Sequence, residues 1–162
     1  MSINRGKKFE EVVKQSFLKV DGVSIDRLHD QTTGYLGSRN ICDFIVYKKP
    51  YEYYVECKSI HGNTFPLKNI TDGQWELLSK AKIEGVYAGI ICWWVDVDVT
   101  KWLPIEDLEI IKLNSGKSVR FDADIGFEIK SKKKRVFFDY DMKQFFKEVS
   151  LCQRLNRKPL IN

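Results

Sequence analysis

Long apolar runs are missing from this chain. No hydrophobic stretch in its 162 residues approaches the roughly 20 residues that a membrane-spanning helix requires, so no such span is expected. The charge cluster at the start, which includes Arg5, Lys7 and Lys8, is not followed by an apolar segment, so no secretory signal is expected either. Histidine is limited to His29 and His61, and the four cysteines (Cys42, Cys57, Cys92, Cys152) show no Cys-x-x-Cys spacing. That scarcity argues against a structural zinc site. Three of the cysteines lie in apolar, strand-like runs and read as buried free thiols of a reducing, cytoplasmic compartment. Repeats, low-complexity tracts and linkers are absent. A phosphate-cradling loop is absent too: Gly116-Lys117-Ser118 resembles the end of one, but Ile111 stands where the earlier glycine is required.

What is present describes a globular α/β protein. Hydrophobic residues make up 43% of the chain and aromatics 13%, enough to bury a full core in one domain spanning 1–162. The net charge of +5 is unevenly spread. Residues 1–58 hold ten basic and eight acidic side chains, 59–127 hold seven and ten, and 128–162 hold ten and four. A basic segment on a mildly basic domain suits a polyanionic partner such as nucleic acid, although a lysine-rich turn also serves solubility alone.

The most informative stretch runs from Ile41 to Ser59. Two β-branched and aromatic runs, Ile41–Tyr47 and Glu52–Ser59, flank a break containing Pro50 and read as a hairpin. Folding it between Lys49 and Pro50 sets Asp43 opposite Glu56, and Lys58 shares their face because side chains two apart point the same way. Directly opposed residues have Cβ atoms about 4.5–5.5 Å apart, so two carboxylates there repel unless a cation lies between them. Mg²⁺ is held in this manner by one or two carboxylates plus phosphate oxygens. A lysine beside it suits an anionic transition state. The competing reading is a solvated Glu-x-Lys face with Asp43 simply paired to Lys58. Charges set into otherwise apolar strands are costly unless paired or metal-bound, which favours the first reading.

The remaining pattern supplies the frame. Residues 4–19 carry Phe9, Val12, Val13, Ser16 and Val20 at helical spacing. Glu10 falls at the edge of that stripe and Glu11 opposite it. A weak strand at 23–28 is followed by a polar, glycine-containing loop at 29–40. Thr71-Asp72-Gly73-Gln74 has the form of a capping box and opens a helix to about Glu84, which Gly85 ends. Residues 88–95 and 97–103 read as strands, 105–111 as a short helix, 127–138 as a hairpin around Lys132-Lys133-Lys134-Arg135, and Met142 onward as a last helix. Gln74 is accounted for by the capping box, yet it lies on the apolar side of its helix and could equally reach a scissile phosphate or a metal-bound water. Trp93, Trp94 and Trp102 could stack on bases, but their apolar surroundings favour core packing.

Several of these residues together resemble the PD-(D/E)XK nucleases, and more narrowly the RecU-type Holliday junction resolvases and their phage relatives. The resemblance rests on Asn4-Arg5-Gly6 followed by Glu10, on Asp43, on Glu56-Cys57-Lys58, on Phe65-Pro66-Leu67-Lys68-Asn69-Ile70, on Gln74, and on Gly89–Trp94. It implies a restriction-endonuclease-like fold, a mixed central sheet flanked by helices. It also implies a homodimer that cuts four-way junction DNA with Mg²⁺ or Mn²⁺. Asp43, Glu56 and the Cys57 carbonyl would be metal ligands, with Lys58, Glu10 and Gln74 catalytic. Arg5, Lys7, Lys68, Lys132, Lys133, Lys134 and Arg135 are the candidate DNA contacts. In place of the long stalk of bacterial RecU, this chain has only residues 20–40. The alternatives are a silent DNA-binding recombination factor and a repair or restriction nuclease acting on other duplex or branched DNA.

Overall fold

In the computed structural model, which describes residues 5–28, 42–135 and 137–156, the first element is helix α1 (Arg5–Leu18). Its buried stripe is Phe9, Val13, Ser16 and Phe17. Glu10 is half-buried at the margin of that stripe and Glu11 is exposed, as their angular positions require. The weak strand becomes β1 (Val23–Arg27), and the expected loop at 29–40 lies outside the described residues. The hairpin forms as β2 (Phe44–Lys48) and β3 (Tyr51–Ile60), turning at a cis Lys49–Pro50 peptide. Its register, Phe44 on Val55 through Lys48 on Tyr51, is the one set by folding between Lys49 and Pro50.

After β3 come β4 (Thr64–Pro66), a 3-10 turn at Leu67–Asn69, α2 (Asp72–Ile83), β5 (Tyr87–Trp94), β6 (Val99–Pro104) and α3 (Ile105–Leu113). Then follow β7 (Ser118–Arg120), β8 (Phe127–Glu128), β9 (Ser131–Lys133), β10 (Phe138–Tyr140) and α4 (Met142–Asn156). The six-stranded central sheet has the order β1-β2-β3-β5-β6-β8. Its β3–β5 pair is parallel and its other neighbours are antiparallel, which makes the sheet mixed and gives the expected helix-flanked α/β architecture. A parallel pair needs a crossover, and α2 supplies it.

Each face of the sheet has its own core. On one, Phe9 and Phe17 of α1 and Phe145 and Phe146 of α4 pack on Tyr53, Val55 and Cys57 of β3. On the other, Leu78 of α2, Leu108 of α3 and Phe65 of β4 pack on Ile90, Cys92 and Trp94 of β5. Covered on both sides, β5 is buried at every position and therefore reads as a continuous apolar run. Trp93, Trp94 and Trp102 are all buried, which assigns them to the core and removes them as base-stacking platforms.

The hairpin expected at 127–138 is displaced. Phe127–Glu128 adds to the central sheet against Lys101–Trp102, and the hairpin proper pairs Ser131–Lys133 with Phe138–Tyr140. Gly126 makes the close approach to β6 possible: its φ is +59°, and a Cβ there would come within 1.8 Å of the Trp102 carbonyl oxygen. Lys132 and Lys133 consequently sit in a strand, and Lys134 and Arg135 begin the turn.

Candidate active site

Strand β2 starts one residue after Asp43, and one step beyond the Phe44–Val55 pair Asp43 stands opposite Glu56. Hydrogen bonds to β1 and β3 hold it. Its backbone carbonyl accepts from the Leu28 amide at 3.0 Å, at the end of β1, and its Oδ2 accepts from the Cys57 amide at 2.7 Å. The Cys57 amide therefore points toward Asp43. In an extended strand a residue's N–H and C=O leave on the same side, so the Cys57 carbonyl lies along that edge as well.

Glu56 points the other way from Cys57, toward the α2 layer. It is 5% exposed, and its Oε1 accepts from Lys58 Nζ and from Gln74 Nε2, each at 2.7 Å. Burial drives its carboxyl pKa up to about 7, and the Asp43 charge pushes in the same direction. Lys58 and Gln74 oppose this without overcoming it. A buried carboxylate destabilised by a second carboxylate is a place where a cation is favourable.

Gln74 completes the capping box and also reaches into the site. Its backbone amide donates to the Thr71 hydroxyl at 3.2 Å and its Oε1 accepts from the Thr71 amide at 3.1 Å, completing the capping box. Its remaining Nε2 donor then reaches Glu56.

Glu10 sits on the opposite layer, in α1, ion-paired with Arg27 at the end of β1. The buried Cys57 thiol reports on the whole group. Its pKa is raised well above normal, first by burial and then by the charges of Asp43, Glu56 and Glu10 in turn. Sequence reasoning missed Arg27. The available signal was a cation in line with Val23 and Ile25 on one face of a strand.

The other expected residues are exposed cations. Lys68 is exposed on the 3-10 turn. Arg5 and Lys7 are exposed on the first turn of α1, where Arg5 Nη1 donates to His61 Nε2 at 2.8 Å. Lys133 pairs with Asp98 at 2.6 Å and Lys134 with Asp139 at 3.3 Å. Arg135 is exposed at the start of the turn. Lys101, which the sequence did not single out, is a buried cation cross-strand from Cys92, itself the partner of Lys58. Its ammonium donates to the Ala123 carbonyl at 2.5 Å.

Among the described residues no three His, Cys, Asp or Glu side chains gather as a cation cage. The donor set that does exist is two carboxylates, from Asp43 and Glu56, and the Cys57 carbonyl. All are hard oxygen donors. They fit Mg²⁺ or Mn²⁺, which keep several waters, rather than a soft metal in a closed protein cage.

No protein-family profile matches the sequence, and no curated protein matches it. Among solved structures the chain is similar to Hjc, a Holliday junction resolvase of Archaeoglobus fulgidus. Identity is 18%, the TM-score is 0.48, and the overlap covers 77% of this chain and 88% of that one. It is also similar to a bacterial homing endonuclease, with 12% identity, a TM-score of 0.46, and coverage of 96% of this chain and 99% of that one.

Proposed function

We propose that the chain is a divalent-cation-dependent DNA endonuclease of the PD-(D/E)XK type, acting as a homodimer on branched DNA, four-way junctions foremost. The observation that carries this is the buried Glu56 carboxylate, set opposite Asp43 and contacted by both Lys58 and Gln74. A structural ion pair needs neither the opposed carboxylate nor the glutamine. Asp43, Glu56 and the Cys57 carbonyl would hold Mg²⁺ or Mn²⁺, which would supply Lewis acidity toward the scissile phosphate.

The chain's own residues do the rest. Lys58, tethered to Glu56 and partly exposed, presents its ammonium to the negative charge that builds on the phosphate. Gln74 fixes the rotamer of Glu56. Asp43 is held by the Cys57 and Leu28 amides, so its carboxylate needs little reorganisation when the site fills. Glu10, anchored by Arg27, adds negative charge from the α1 side. Arg5, Lys7, Lys68 and the Lys132–Arg135 segment contact DNA phosphates.

The test is purified protein incubated with labelled four-way junction and linear duplex, with Mg²⁺ or with EDTA. Cation-dependent cutting of the junction supports the reading. Intact DNA under every condition sinks it.

A further inference from the structure

The turn between β5 and β6 joins two basic elements that are distant in sequence. Asp96 in that turn accepts from the Gly62 amide at 2.6 Å and contacts His61 Nδ1 at 2.8 Å. Arg5 Nη1 approaches the other ring nitrogen at 2.8 Å. Arginine can only donate, so Nε2 of His61 accepts from it and Nδ1 carries the proton given to Asp96. Two residues on, Asp98 holds Lys133 of β9 at 2.6 Å. Lys8 of α1 lies 4.9 Å over the ring of Phe137, just before β10, tying the same two elements together directly. The first turn of α1 (Arg5, Lys7, Lys8) and strand β9 with its turn (Lys132, Lys133, Lys134) thus form one exposed basic ridge.

The ridge belongs to the layer of α1 and β10, whose Phe9, Phe138 and Tyr140 fill the core on the Cys57 side of β3. Glu56 and Lys58 point to the other face, where α2 sits. A duplex presented to Lys58 lies on the α2 side, and a stiff duplex resists wrapping around the end of a sheet to reach the opposite layer. We propose that the ridge is a second DNA-backbone site, holding a duplex arm other than the one placed at Lys58. In it Asp96, His61 and Asp98 are positioning residues that set Arg5 and Lys133 at a fixed spacing. This rests on the nuclease reading for the identity of the polyanion, and it adds that the substrate presents two arms at once.

Fluorescence anisotropy in EDTA, over a salt series, tests it with a four-way junction and a linear duplex. Replacing Lys132, Lys133 and Lys134 with Gln is expected to weaken junction binding at least about ten-fold more than duplex binding. The junction salt slope should fall by about 2–3, since each duplex phosphate contact contributes about 0.9. The same three positions changed to Arg should retain the preference. Asp96→Asn with Asp98→Asn removes two negative charges, so a diffuse charge effect would tighten binding. The positioning role instead predicts weaker junction binding. Equal proportional losses on both DNAs, no loss in the Gln variant, or tighter binding by the double Asn variant would each overturn the proposal. The two readings separate cleanly. Ridge-dependent junction binding without any Mg²⁺-dependent cutting removes the nuclease and keeps the ridge, whereas cutting with ridge-independent affinity does the reverse.

Discussion

Glu56 is a buried carboxylate set against a second carboxylate, and the consequences are measurable at that residue. Its folded pKa of about 7 lies above the ordinary 4.5, so the native state favours the protonated form. Stability from that preference is fully present below pH 4.5 and is lost as pH rises toward 7. In EDTA, urea denaturation should show a loss of about 1–3 kcal/mol between pH 5 and pH 8, and Glu56→Gln should abolish it. A flat wild-type profile would mean the carboxylate is better solvated than its burial indicates. The same substitution, like Asp43→Asn, should eliminate cation-dependent cleavage. Lys58→Ala should slow cleavage by on the order of 10²–10³-fold while cation binding, read by calorimetry, persists. Gln74→Glu separates the two functions of that side chain. A glutamate keeps the capping box, so α2 should remain intact by circular dichroism. It also sets a third carboxylate against Glu56, so cleavage at neutral pH should collapse; full activity in this variant would confine Gln74 to the cap.

At the scale of elements, α1 holds one acid, Glu10, half-buried against Arg27 and another, Glu11, in solvent. Glu10→Gln should lower the cleavage rate, whereas Glu11, exposed and accepting from Gln15 one turn on, should tolerate the same change. The opposite ranking would remove α1 from the mechanism. How much of this was legible follows from sequence distance. Asp43, Glu56 and Lys58 could be juxtaposed without a structure because a two-residue turn fixes hairpin register, and the observed Phe44–Val55 pairing obeys it. The α2 cap was legible because it is built from four consecutive residues. The Arg27–Glu10 and Arg5–His61–Asp96 contacts were not, because they join elements whose relative placement no local pattern encodes. β4, β7 and β8, two or three residues each, are too short to show any period. The last hairpin was misplaced because Phe127 and Ile129 alternate as well for a central-sheet edge as for a hairpin arm.

Across the whole molecule, one side chain holds several layers together. Phe145 of α4 packs its ring against Phe17 of α1, Tyr53 of β3, Trp102 of β6 and Phe127 of β8, with centroids 5.3–6.0 Å apart. Phe145→Ala should cost about 3–5 kcal/mol of folding stability, because so rigid a surround cannot collapse into the space. A loss below about 1 kcal/mol in chemical denaturation would show that α4 packs loosely. The capping box has a further consequence, in the time domain. Thr71 and Gln74 close the first turn of α2, and the same glutamine amide group grips Glu56. Fraying of that turn therefore removes one of the two contacts that hold the carboxylate, the other being Lys58. Whatever neutralises Glu56 and steadies it should slow amide hydrogen exchange at Gln74 and Trp75, and anything that loosens the start of the helix should blur the carboxylate's aim.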